Sequence, residues 1–131
     1  MTESSNGRVL GPVVVRLPPE PSLSKVLRLA ASAMGALGGY SVEEIEDVKI
    51  AVSEVMIALV EHGSGNEVEI SLSIDTDFIV RGSTESAGFD ADHPDLMLCR
   101  TVLEGVSAAH GIAVNDGEAQ IWATVHHTVT D

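Results

Sequence analysis

The chain has 131 residues, and seven Lys plus Arg against twenty Asp plus Glu give a formal charge of -13. That length suits one domain with a real core and no need of disulfides or metal, while that charge repels phosphate backbones and anionic lipid and so argues against direct nucleic-acid or membrane-surface binding. A single Cys99 makes no intramolecular disulfide, no signal pattern opens the chain and no apolar run approaches a membrane span, so a cytoplasmic protein with a protein partner is expected.

Residues 1–11 are polar and contain Gly, Ser and Asn, which reads as a flexible N-terminus, with a single domain over 12–127. Val13 to Leu17 is a β-branched run stopped by Pro18 and Pro19 and reads as a first strand at a sheet edge. Ser22 opens a helical pattern in which Leu23, Val26, Leu27, Ala30, Met34 and Leu37 share a face, and Gly38-Gly39 ends it.

The stretch from Ser41 to Gly63 reads as one long amphipathic helix. Ser41 and Glu44 have capping-box spacing, and Gly63 supplies the stop. Ile45, Val48, Val52, Val55, Met56 and Leu59 recur at helical spacing and form the core face. The opposite side carries Glu43, Asp47, Ile50, Glu54, Ile57 and Glu61, four acids interrupted by two isoleucines. Two apolar anchors rimmed by charge suit a partner-binding surface; isolated apolar residues on an ordinary surface helix are the alternative.

Val68, Ile70, Leu72 and Ile74 alternate with polar residues and predict a half-buried strand, joined through Asp75-Thr76-Asp77 to a second strand at Phe78 to Arg81. Gly82 to Asp95 is polar and reads as the longest loop, a length usually associated with function. Leu96, Leu98, Cys99, Val102, Leu103 and Val106 predict a third helix ending near Ala109 to Gly111, with Cys99 as a small core residue rather than a redox group. Ile112 to Val114 and Ala119 to Val125 are the last strands, joined by Asn115-Asp116-Gly117, and Trp122 is a packing residue. His126 and His127 are adjacent on an extended segment, point to opposite faces and do not share a metal ion, so no metal site is expected. The order β-α-α-β-β-α-β-β predicts an α+β two-layer sandwich, helices covering one face of a mostly antiparallel sheet.

The segment Asp47 to Gly63, DVKIAVSEVMIALVEHG, resembles the N-box helix of the anti-sigma-factor serine/threonine kinases, small bacterial relatives of the histidine-kinase/Hsp90-like ATPases with a Bergerat fold, and the element order matches from Val13 to His127. The resemblance implies a Glu-x-x-x-Asn pair in which glutamate is the base and asparagine holds magnesium on ATP. Glu54 matches the glutamate, but Ala58 stands where the asparagine belongs. Gly82 and Thr84 stand where the resemblance implies the Asp-x-Gly turn that reads adenine, and Pro94 and Asp95 lie where it implies a glycine-rich phosphate segment. Gly88-Phe89-Asp90 is similar to the family's lid start.

A degenerate relative follows from these differences, with no cofactor expected and Glu54 in a vestigial base position. It would regulate transcription by binding a sigma factor, an anti-anti-sigma factor or a sister subunit, and a homodimer is compatible with this reading. The alternative is an active kinase that uses ATP and magnesium to phosphorylate a serine or threonine of an anti-anti-sigma factor. A third is an unrelated α+β domain.

Overall fold

The computed structural model describes residues 9–86 and 88–128. Its elements are β1 (Leu10–Leu17), α1 (Ser24–Leu37), α2 (Val42–His62), β2 (Val68–Asp75), β3 (Asp77–Glu85), α3 (Leu96–Val106), β4 (Ala109–Asn115) and β5 (Glu118–Val125). The expected order and the α+β sandwich class are both realised. Five antiparallel-paired strands run in the order β1-β2-β3-β5-β4, so β1 is an edge strand as predicted.

Strand alternation builds the sheet's inner face. Val68, Ile70, Leu72 and Ile74 of β2 point inward with Phe78 and Val80 of β3 and Ile121, Ala123 and Val125 of β5, all buried. Against them lies the predicted core face of α2: Val48, Val52, Val55, Met56 and Leu59 are buried, and Ile45 packs at the margin. The helix can come this close because Gly82, in the middle of β3, has no side chain. A Cβ there would sit 2.6 Å from both Leu59 Cδ1 and Val55 Cγ1.

Several boundaries differ from the sequence reading. β1 begins at Leu10, with a bulge between Leu10 and Val13, while residues 1–8 of the expected N-terminus lie outside the described residues. β3 continues through Glu85 instead of stopping at Arg81, because Gly82 and Ser83 are paired on both sides, with β2 and β5, and Thr84 and Glu85 with β5. The predicted loop therefore shrinks to residues 86–95. α3 ends at Val106, where the Ser107 amide bonds the Leu103 carbonyl, and Ala109 already belongs to β4.

The face of α1 is also turned from the predicted one. Leu27, Ala31 and Met34 are buried, but Val26 and Leu37 are 45% and 63% exposed. Small residues set this rotation, since a Cβ at Gly35 would lie 2.8 Å from Ile45 of α2. The β4–β5 turn matches its signal: Asp116 and Gly117 both have positive φ, the geometry of a two-residue hairpin loop. Trp122 lies on the uncovered sheet face across β4, where Gly111 leaves room for its ring. No described helix is long and apolar enough to cross a membrane.

Candidate functional site

The two ends of α2 carry different chemistry. At its start the predicted capping box forms: the Glu44 amide donates to Ser41 Oγ at 3.1 Å, and the Ser41 amide donates to Glu44 Oε1 at 2.8 Å. The same carboxylate also takes the Thr128 amide at 2.6 Å and faces His127 Nδ1 at 3.1 Å. Burial pushes its pKa up, but the amides of Thr128 and Ser41 and the His127 ring outweigh that and hold it at about 2. His127 stacks on Tyr40, whereas His126 faces Asp77 at 3.1 Å. The neighbouring histidines serve different acids, in keeping with their expected opposite directions.

Towards its C-terminal end, α2 forms one wall of a cleft of about 230 Å³, and the start of α3 forms the other. Glu54, Ile57, Ala58 and Glu61 of the predicted stripe and motif line it, with His62, Asp95, Leu96 and Cys99. Glu54 is partly buried, and burial followed by the charge of Glu61 raises its carboxyl above the ordinary value. Cys99 is buried, and its thiol is pushed up to about 11 by burial and then by Glu54, despite Arg100. The thiol form therefore dominates near neutrality, as suits a packing residue.

The rest of the stripe lies elsewhere. Ile50, 42% exposed, shares with Glu54 a second hollow of about 360 Å³ that also includes Arg28, Glu46, Lys49 and Ser53. Arg28 bridges Ser24 and Ser53 at 2.9 and 3.2 Å, tying α1 to α2. Glu43 is exposed and Asp47 half-buried on the first turns, and burial followed by Glu43 and Glu44 raises the Asp47 carboxyl. Ile50, Glu54, Ile57 and Glu61 of the stripe are thus divided between two hollows joined at Glu54, the second of them framed by Arg28 of α1 and Lys49 of α2.

The positions implied for a nucleotide are spread over α2, β3 and the start of α3. Ala58 is 4% exposed on the cleft wall and offers no oxygen to a metal. Gly82 lies within β3 under Val55 and Leu59, and Thr84 is buried with its hydroxyl donated to the Glu67 carbonyl at 2.8 Å. Neither forms a base-reading turn. At the start of α3, the Leu96 and Met97 amides already bond the carbonyls of His93 and Pro94, so they are not presented to a phosphate. Asp95 adds negative charge at this point. These residues do not fit ATP with magnesium in the manner the resemblance implies.

Two features have no counterpart in the sequence reading. Ser86, just beyond β3, has a buried hydroxyl with no hydrogen-bond partner among the described residues. His62, His93 and Asp95 also converge, each offering one ligand atom, with these atoms within 4.8 Å of one another. A separation of thirty-one positions between the histidines carries no local signal; only the path of the 86–95 loop brings them together. Phe89 of the predicted lid start is buried and meets His62 edge-on at 6.3 Å, which fastens that loop to the end of α2.

No protein-family profile matches the chain. It is similar to the serine-protein kinase RsbW of Bacillus subtilis (strain 168), 33% identical over 91 residues that cover 64% of this chain and 57% of that protein. It is also similar to RsbW of Listeria innocua, 33% identical over 85 residues, 61% of this chain and 54% of that one. The chain thus spans little more than half the length of these curated relatives. Among solved structures, the RsbU and RsbW domains of a Mycobacterium tuberculosis protein superpose with a TM-score of 0.70 at 16% identity, covering 92% of this chain and 34% of that one. A chain of the SiaB–SiaC complex from Pseudomonas aeruginosa superposes with a TM-score of 0.60, also at 16% identity, covering 91% and 92%. The sequence matches fall in with the resemblance carried by α2, and the solved structures share the fold: the chain is similar to the serine-protein kinase RsbW over about two thirds of its length.

Proposed function

We propose that this chain is an anti-sigma-like regulator of transcription that works by binding proteins, without nucleotide chemistry. The observation that carries this reading is Ala58: at the helix position where the family places a magnesium-holding oxygen, the cleft wall presents a methyl group. Phosphoryl transfer asks a protein chiefly to position phosphates and stabilise charge, so a base without a metal anchor has little to act upon. The occupied amides at the start of α3 and the negative charge of Asp95 support the same conclusion.

The surface left for function is the outer side of α2, with Ile50 and Ile57 as apolar anchors and Glu43, Asp47, Glu54 and Glu61 around them. Its acidity favours a basic surface on a sigma factor, an anti-anti-sigma factor or a sister subunit. The solved SiaB–SiaC complex supports protein binding as a use of this fold. A second reading, an active serine kinase, is favoured by Glu54, because a carboxyl raised by burial is a stronger base. Calorimetry with ATP and magnesium separates the two. No heat at millimolar nucleotide is the expected result, and micromolar affinity with transfer to a serine of an anti-anti-sigma factor would establish the kinase.

A further inference from the structure

We propose that His62, His93 and Asp95 form a binding site for a divalent transition-metal ion at the mouth of the cleft between α2 and α3. His62 comes from the last turn of α2, and the other two come from the segment leading into α3. One ligand atom from each lies within 4.8 Å of the other two, and the imidazole rings are 5.0 Å apart between centroids. Asp95 Oδ2 is 3.8 Å from His93 Nδ1. Two tetrahedral ligands each about 2.0–2.1 Å from a shared zinc stand roughly 3.4 Å apart, so a small inward shift of the loop completes the geometry.

The surroundings favour a cation here. Glu54 and Glu61 line the same cleft, and both remain available to attract a divalent ion or complete its coordination. His62 is half-buried against Phe89, and none of its ring nitrogens hydrogen-bonds a described side chain or backbone group, so no protein group competes for its lone pair. His93 Nδ1 accepts the Asp95 amide at 3.1 Å, a neutral bond that coordination at that nitrogen would replace. Two imidazoles and one carboxylate select zinc, cobalt or nickel over magnesium and calcium, which prefer all-oxygen shells. Binding would join the segment from His93 to Asp95 to the end of α2 at the cleft mouth.

The test uses untagged full chain stripped with a chelator, titrated with Zn²⁺ by calorimetry and with Co²⁺ by visible absorption. One ion per chain is expected, and millimolar Mg²⁺ should leave Zn²⁺ binding intact. His93 is half-buried and Asp95 exposed, and His93→Ala and Asp95→Asn should each weaken Zn²⁺ binding at least tenfold without changing the far-ultraviolet spectrum. His126→Ala, remote from the cleft, should bind as the unmodified chain does. Absence of Zn²⁺ uptake, displacement by Mg²⁺, or equal losses in His126→Ala and His93→Ala would overturn the proposal. Because nucleotide and protein partner are absent throughout, failure here leaves the protein-binding reading to its own test.

Discussion

Glu44 and Glu54 stand on one helix, two carboxylates in the same chain segment, and their surroundings use them in opposite ways. Glu44 is surrounded by donors, from Ser41, His127 and Thr128, and its pKa is held down at about 2. Glu54 has no side-chain donor among the described residues, looks into a cleft beside Glu61, and is pushed up. An acid whose hydrogen-bonding capacity is filled locks structure in place. An acid left without donors beside a cavity is held at a cost, and that is the usual sign of a group kept for a ligand or partner. Glu44 is used as architecture, whereas Glu54 faces the cleft between α2 and α3.

The apolar face shared by both regions sets the scale. Val52 is fully buried between the sheet and the helix layer. Val52→Asp places an unpaired charge there, which costs several kcal/mol, about the whole stability of a small domain. The variant should lose its helical circular dichroism and its cooperative melt. A folded Val52→Asp would mean that α2 does not rest on the sheet by this face, and the contrast between its two regions would have no frame.

That face was legible because it is written locally, as was the capping box: both depend on spacings of three and four residues within a single helix. The alternation of β2 and the Asn115-Asp116-Gly117 turn were legible for the same reason. The end of β3 was not, because Gly82 has poor strand propensity and Gly82 and Ser83 are held by neighbours on either side, Glu69 with Gln120 against Ser83 for example. The burial of Leu27 and Ala31 in place of Val26 and Leu37 depends on where α2 crosses α1, which no pattern within α1 encodes. At the site, Glu54 and Ala58 could be found from one helix, whereas His62 meets His93 only through a loop. Gly82 and Thr84, where the resemblance implies an adenine-reading turn, lie within β3 because the strand runs on through Glu85.

The next largest effect should come from the satisfied end. Glu44→Gln keeps the size of the side chain but turns an amide donor towards groups that themselves donate. With hydrogen bonds to a charged group worth about 1.5–3 kcal/mol, a loss of about 1–3 kcal/mol at pH 7 is expected in urea melts. The pH dependence has a defined sign. Glu44 is depressed in the folded chain, so its stabilisation is complete above the ordinary carboxyl value of 4.5 and disappears as pH falls towards 2. The gap between the unmodified chain and Glu44→Gln should therefore narrow over that window. A gap that stays constant from pH 5 to pH 2 would show that the charge of Glu44 is not what holds the C-terminal segment to α2.

Glu54→Gln should give the smallest change and the opposite sign. The folded chain raises this carboxyl through burial and the neighbouring charge of Glu61, so ionising it opposes folding. Its contribution worsens as pH climbs from the ordinary value through the raised one, and then levels off. Replacing it by a neutral isostere removes that opposition, and because the group is partly solvated the gain should be within about 0.5 kcal/mol at pH 7 and vanish at pH 3. Paired urea melts of the two glutamine variants at both pH values read the difference directly. If Glu54→Gln instead destabilises the chain at pH 7 as Glu44→Gln does, then Glu54 is a satisfied structural acid, the two regions of the helix are chemically alike, and the cleft loses its standing as the functional end. If the signs differ, a carboxylate is being maintained at a cavity against the interest of folding, which is what a binding or reactive position requires.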